Sequence, residues 1–244
     1  MRLFGLLGYP LEHSFSKNYF TEKWKQEGID DVGFINFPVP DISELREIVR
    51  EYPDLSGLAV TIPHKTSVIP FLDGIDPVAA DVGAVNCIVI NAGHMVGHNT
   101  DVIGFEKSFL KGLKPEHESV LILGNGGAAK AVSHVCGKAG LSLTKVCRSP
   151  SVEGEIHWNE VTPGLISDMD VVINCTPLGM HPEIEAFPPI PFEAIHEGQY
   201  FFDLIYNPVE TVFLREAAQR GAFTSNGLEM LILQAEENRR LWNC

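Results

Sequence analysis

Four consecutive apolar residues, 120–123, run without a break into Gly124-Asn125-Gly126-Gly127 and then into Ala128-Ala129-Lys130-Ala131-Val132. No other feature restricts the fold as much. A strand that is apolar at every position has both faces covered, the condition of a parallel sheet with helices on either side. A glycine turn joining such a strand to a helix gathers free backbone N–H groups and the positive end of the helix dipole at one point, where an anion is stabilised. The spacing G-x-G-x-x-A matches the dinucleotide fingerprint. Gly124 permits the tight turn, Gly126 lets the backbone approach a pyrophosphate, and Ala129 allows close packing of helix on strand. Gly124, Asn125, Gly126, Gly127 and Ala128 are therefore the candidate pyrophosphate cradle.

The residues that follow extend this unit. Strands are expected over 142–147, 171–174 and 201–205, and helices from about 160 and over 210–220. That βαβ series implies a mostly parallel sheet. The Pro-rich run 181–191 reads as a loop within it. At the end of the second strand stand Cys147-Arg148-Ser149-Pro150, with no acid before Glu153. NAD sites carry an Asp or Glu there for the ribose hydroxyls, whereas NADP sites have an Arg for the 2′-phosphate. Arg148 offers a charge-assisted, forked contact to phosphate and Ser149 a hydroxyl donor, so NADP is favoured over NAD.

The first hundred residues also alternate strand and helix. Strands are expected over 3–7, 32–37 and 57–62, with a helix over 16–26 stopped by Gly28. Asp41-Ile42-Ser43-Glu44 reads as a capping box opening a helix to Tyr52. Residues 87–91 and 95–98 flank Ala92-Gly93 as a hairpin. Helices over 102–110 and 228–242 complete the pattern. The expected fold is α/β: an N-terminal open α/β substrate domain (1–101, completed by the C-terminal helix 228–244) and a Rossmann-like doubly wound dinucleotide-binding domain (102–227).

Composition narrows the partners. A formal net charge of −14 over 244 residues repels nucleic acid and anionic membranes, leaving small molecules. The short apolar N-terminal run lacks a cleavage site, and no stretch reaches the roughly 18 to 20 apolar residues of a membrane span. Five cysteines without a C-x-x-C indicate a reducing compartment. A cytoplasmic protein is expected, monomeric or homodimeric.

Four polar segments lie at predicted turns: His13-Ser14-Phe15-Ser16, Thr61-Ile62-Pro63-His64-Lys65, Gly83-Ala84-Val85-Asn86 and His98-Asn99-Thr100-Asp101. In an open α/β sheet such loops gather at the carboxyl edge, where ligands bind. Ser14 and Ser16 alternate, so in an extended segment they share a side and can present two hydroxyls to one carboxylate. His94 and His98 have a metal-like spacing but lie on the hairpin with no third ligand beside them, so no metal is expected. No G-x-S-x-G is present to make a hydrolase nucleophile.

Taken in order, G-Y-P-L-E-H-S-F-S, A-V-T-I-P-H-K, G-A-V-N, N-T-D-V-I-G-F, G-N-G-G-A-A-K-A, N-C-T-P-L-G-M and D-L-I-Y-N-P resemble the signature of the shikimate dehydrogenase family. The resemblance spans nearly the whole chain. It implies an oxidoreductase that reduces 3-dehydroshikimate to shikimate with NADPH on the route to chorismate and the aromatic amino acids. By that resemblance Ser14 and Ser16 hold the substrate carboxylate. Thr61, Asn86, Asp101 and Gln234 contact the ring hydroxyls, and Lys65 and Asp101 form the catalytic pair. Arg148 meets the 2′-phosphate, Thr176 and Ile205 flank the nicotinamide, Tyr206 reaches the substrate, and Gly227 approaches the nicotinamide through its backbone. The substrate ring is expected between the two domains.

The sequence departs from the family pattern at Lys17, where Pro is usual, and at Cys147, where Asn is usual. A second basic residue after Arg148 is missing, and the stretch between Arg148 and Asn174 is short. Two alternatives share parts of this pattern. A quinate or shikimate dehydrogenase using NAD keeps every motif. A non-catalytic dinucleotide sensor keeps the glycine loop but has no use for Lys65 and Asp101.

Overall fold

A computed structural model describes residues 1–11 and 14–244; Glu12 and His13, part of the first polar segment, lie outside the described residues. The chain divides into two compact units, Met1–Thr100 with Ala235–Cys244, and Asp101–Gln234.

The first unit contains β1 (Arg2–Gly8), α1 (Phe15–Glu27), β2 (Val32–Pro38), α2 (Leu45–Glu51), β3 (Leu55–Val60), β4 (Gly74–Ile75), α3 (Pro77–Val82), β5 (Cys87–Asn91) and β6 (His94–His98). The described strands form one sheet in the order β2-β1-β3-β5-β6-β4. Strands β2, β1 and β3 are parallel, whereas β5 and β6 form an antiparallel hairpin. Its two-residue turn holds Ala92 and Gly93 at φ 49° and 80°, the left-handed pair that matches the twist of the strands. Alternation along the strands divides the core in two. Leu3, Leu7, Leu58, Val60, Ile88 and Ile90 face Leu45 of α2 and Ala79 of α3. Phe4, Leu6, Phe34, Ala59 and Cys87 pack with Phe20 and Trp24 of α1 and with Trp242.

Local chemistry accounts for most ends. Helix α1 stops at Gly28, whose φ of 69° lets its N–H reach back to the last turn. The capping box expected at Asp41 is instead an Asx turn. The carboxylate accepts from Ser43 N at 2.9 Å and tightens Ile42–Glu44 into a 3₁₀ turn before α2 begins at Leu45. Strand β3 stops at Val60, so Thr61 and Ile62 belong to the turn that follows it.

The second unit contains α4 (Asp101–Phe109), β7 (Ser119–Leu123), α5 (Gly127–Lys138), β8 (Ser142–Cys147), β9 (Glu155–His157), α6 (Pro163–Ser167), β10 (Val171–Asn174), β11 (Tyr200–Asp203), α7 (Val212–Gln219) and β12 (Phe223–Ser225). Helix α8 (Leu228–Trp242) begins in this unit and ends in the first. The described strands form a parallel sheet in the order β12-β11-β10-β7-β8-β9. Counted from β7, that is 3-2-1-4-5-6, the doubly wound order of dinucleotide-binding domains. Phe105 and Phe109 of α4 meet Tyr200 and Phe202 on one face. Ile166 of α6 and Phe213, Leu214 and Ala217 of α7 join Leu121, Leu123, Val172 and Phe201 on the other. Between β9 and β10 the crossover holds only a 3₁₀ turn (Trp158–Glu160) and the five residues of α6.

Trp242 shows how much rests on the end of α8. Its ring stacks on Phe4 with centroids 5.0 Å apart, its Nε1 donates to Ile88 O at 3.1 Å, and it fills the space that a side chain at Gly57 would need. Trp242→Ala should lower stability to denaturant by about 3 to 5 kcal/mol, the usual range for removing a buried Trp. A midpoint shift corresponding to less than about 1 kcal/mol would show that the site collapses around the smaller residue.

Candidate functional site

Two groups of polar residues lie at the carboxyl edges of the two sheets, and each is described within its own unit. In the first, Thr61 N donates to Leu7 O at 2.9 Å and Tyr9 N to Ile62 O at 3.0 Å, joining the chain after β3 to the end of β1. The turn carrying Lys65 is fixed from behind. The buried His64 ring lies 2.5 Å through Nε2 from Val39 O, and the Lys65 carbonyl accepts from Val85 N at 2.7 Å. Asn86, at the start of β5, donates through Nδ2 to Thr100 Oγ1 at 2.9 Å and accepts from Thr100 N at 2.6 Å. Thr100 Oγ1 donates in turn to Asn238 Oδ1 at 2.7 Å. Asp101, which opens α4 in the second unit, is buried. Sequence reasoning named the polar turn that carries His64 but gave that residue no role, and it missed Asn238.

Ser14 and Ser16 do not share a side of an extended segment. Ser14 is the N-cap of α1 and Ser16 its second residue, so the chain turns helical between them and the two hydroxyls fan around the helix start. A Ser before a helix is favoured for that position. Among the described residues the buried Ser14 hydroxyl has no hydrogen-bond partner, and it stands at the positive pole of α1. Lys17 is exposed on the same turn.

In the second unit Gly124 adopts φ 105° and its N–H donates to Val146 O at 2.8 Å. A side chain there would be strained and would come within 3.2 Å of Thr176 Cγ2. Gly126 is the N-cap of α5, and a Cβ on it would meet nothing within 4 Å. Asn125, Gly127 and Ala128 complete the turn, while Ala129 is buried against the sheet. This is an accessible cradle of helix N–H groups, as a pyrophosphate requires.

Arg148 and Ser149 follow β8 and are exposed. Cys147 turns inward, its Sγ 3.9 Å from Glu155 Oε2. The Glu155 carboxylate is committed to the same loop: it accepts from Ser151 N at 3.0 Å and pairs with Lys145 Nζ at 3.3 Å. These bonds, Ser151 N foremost, hold it below the usual carboxylate range. The carboxylate beside Cys147 is thus occupied, while Arg148 and Ser149 stand exposed at the end of β8.

Three of the remaining candidates, Thr176, Ile205 and Gly227, are tied to a carboxylate that sequence reasoning overlooked. Asp203 ends β11, wholly buried. Its Oδ1 accepts from Asn174 Nδ2 and Ile205 N, both at 3.0 Å, and its Oδ2 from Thr211 Oγ1 at 2.6 Å. Asn174 Oδ1 accepts from Thr176 N at 3.0 Å and Thr176 Oγ1 at 2.7 Å. Ile205 O accepts from Gly227 N at 3.0 Å. A side chain at Gly227 would collide with Leu204 O, so only glycine fits. Tyr206 is half-buried beside Ile205, and burial raises its phenol above the ordinary value. Gln234 lies on α8, its Nε2 donating to Leu231 O at 2.9 Å. The signal for Asp203 was a polar residue closing a strand otherwise apolar.

His94 and His98 stand on β6, each within 3.9 Å of a separate Asp, Asp73 and Asp76. Among the described residues no group of three or more His, Cys, Asp or Glu gathers to hold a metal. Among them, too, no helix is long and apolar enough to cross a membrane.

Fold and site together define a two-unit α/β protein with a dinucleotide-binding domain, and comparison with known proteins identifies which. A family model described as Shikimate dehydrogenase substrate binding domain matches residues 6–88. A relative from Desulforamulus reducens named Shikimate dehydrogenase (NADP(+)) is 36% identical, the match covering 98% of this chain and 88% of the relative. The crystal structure of shikimate dehydrogenase 1 from Peptoclostridium difficile is similar with a TM-score of 0.88 and 32% identity, over 100% of this chain and 92% of that one. The Thermus thermophilus shikimate 5-dehydrogenase, solved in complex with NADP(H) and shikimate, is similar with a TM-score of 0.87 and 30% identity, over 99% and 93%. The chain belongs to the shikimate dehydrogenase family.

Burial pushes the Asp203 carboxyl up to about 6 against the bonds that favour its ionised form, from an ordinary value of 3.8. The folded protein therefore keeps a proton that the unfolded chain releases. Its contribution to stability is full below the unfolded value and is lost as pH rises towards 6, about 3 kcal/mol in all. Asp203→Asn, which cannot ionise, should gain about 2 kcal/mol on the native protein between about pH 4 and about pH 7 in denaturant titrations. A difference independent of pH would show that Asp203 does not titrate in this window.

Proposed function

We propose that this chain catalyses the reversible NADPH-dependent reduction of 3-dehydroshikimate to shikimate, the step its relatives are named for. The observation that carries the reading is a likeness running through both units to relatives named for NADP(+). Five free cysteines fit a reducing cytoplasm, and the partners are small soluble molecules. The test is direct: purified protein should change the ultraviolet absorbance of NADP in the presence of shikimate. NADP binding without turnover on any cyclohexene acid would leave a sensor.

In this reading the cofactor supplies or accepts the hydride, and the protein does the rest. Ser14 and Ser16, at the positive pole of α1, bind the substrate carboxylate, which fits the unpartnered Ser14 hydroxyl. Thr61, Asn86, Asp101, Gln234 and Tyr206 orient the ring. Lys65, as an ammonium, gives its proton to the substrate oxygen in reduction and takes it back in oxidation, with Asp101 as the carboxylate that orients it. Rigid anchoring of the Lys65 backbone by Val85, and of its turn by His64, suits a group whose reach must be reproducible. Residues 124–128 hold the pyrophosphate, and Arg148 with Ser149 the 2′-phosphate. Thr176, Ile205 and Gly227 line the nicotinamide.

Two substitutions test the assignments. Lys65→Met keeps the length and removes the proton, so kcat should fall about 10² to 10⁴-fold with a much smaller change in KM. A raised KM with unchanged kcat would make Lys65 a binding residue instead. Arg148→Ala should weaken NADP binding by about 1.5 to 3 kcal/mol, the value of one charged hydrogen-bonding group, and leave NAD almost untouched. Equal losses for the two cofactors would remove Arg148 from the 2′-phosphate.

A further inference from the structure

We infer that Asp203 is the positioning residue of the nicotinamide half of the cofactor site, its buried carboxylate fixing the loops after β10 and β11 that carry Thr176 and Ile205 and, through Ile205, the loop of Gly227 after β12. The inference rests on the cofactor reading above and adds a residue that touches neither cofactor nor substrate. Asn174 and Asp203 are the last residues of neighbouring strands and pair directly in register. From that pair the bonds diverge. One Asp203 oxygen takes Ile205 N, and Ile205 O takes Gly227 N; Asn174, held by the same oxygen, takes the N–H and hydroxyl of Thr176. Ile205 thus stands one hydrogen bond from the carboxylate, and Thr176 and Gly227 two. The second oxygen takes Thr211 Oγ1, which caps α7 by accepting from Leu214 N at 3.3 Å.

A merely structural anchor would not need this arrangement. Thr211 already satisfies the first turn of α7, and an apolar strand end would pack as well as a buried carboxylate, which is costly to bury. What the carboxylate provides is a single acceptor to which two separate loops are referred. Those loops set where an amide ring can lie, while the adenosine half is held elsewhere, at residues 124–128 and 148. The inference therefore requires that disturbing Asp203 separates the two halves of cofactor binding.

Asp203→Ala removes all three acceptor contacts, whereas Asp203→Asn keeps an oxygen for Asn174 and Ile205 and offers an N–H to Thr211. NADPH binding is read by fluorescence titration and the adenosine half alone by titration with 2′,5′-ADP. The alanine variant should lose about tenfold or more in affinity for NADPH while 2′,5′-ADP stays within about twofold, because the contacts it disturbs are hydrogen bonds on one side of the site only. The asparagine variant should restore NADPH affinity to within about threefold of native. Thr211→Val serves as the structural control: its melting temperature should fall while both affinities hold. If Asp203→Ala does not fold, Asn174→Ala, which cuts the branch to Thr176 together with a bond to Leu178 O further along the same loop and leaves the Ile205 branch intact, should show the same separation. Equal weakening of both ligands, or of neither, overturns the inference. Native protein that binds neither ligand overturns the cofactor reading itself, and this inference with it.

Discussion

A parallel sheet delivers all of its strand ends to one edge, and there the backbone groups of every departing loop lose the partners that the strands gave them. The second unit is organised by that constraint. β7 lies between β8 and β10 and is buried on both faces. The chain that leaves it can turn only through Gly124, whose N–H is returned to the neighbouring strand end at Val146. At β10 and β11 the same problem is met by side chains, Asn174 and Asp203, standing where the apolar runs stop. The glycine turn at the start of α5 and the network beside it are two answers to one shortage of partners: the first leaves N–H groups facing outward, the second consumes them inside.

How far the sequence revealed this depended on whether a feature was local. The uninterrupted apolar run before Gly124 and the alternation of strand and helix gave the second unit. Asn-Ala-Gly-His between two apolar runs gave the hairpin of β5 and β6. Strands β4, β9 and β12 have two or three residues each. They carry no periodicity and exist because a neighbour accepts them. Helix α3 was legible and was missed: Asp76 caps it, Pro77 occupies its first turn and Gly83 ends it. Ser14 and Ser16 were read with a strand period at a point where the chain had begun to wind. Asp203 and Asn174 were visible within D-L-I-Y-N-P and N-C-T-P-L-G-M, but their pairing joins residues 29 apart in sequence and appears only when the strands are set side by side.

Charge follows a similar division. Within the acidic surface stand the positive poles of α1 and α5 and the exposed Arg148. Glu155, the carboxylate beside Cys147 at the end of β8, is turned onto Lys145 and Ser151. Local geometry decides what the site attracts, and the net charge decides only what the rest of the surface repels.

The aromatic layer of the first unit, Phe4, Phe20, Trp24 and Phe34, is closed by Trp242 and Ala235, from the part of α8 that comes after the second unit in the chain. A ribosome making this protein therefore emits the first sheet and α1 early and the end of α8 last. Throughout synthesis of the intervening unit the part of that apolar face that Trp242 and Ala235 cover waits exposed, open to chaperones and to other nascent chains. The order of the message thus makes the first part to be made the last part to be finished.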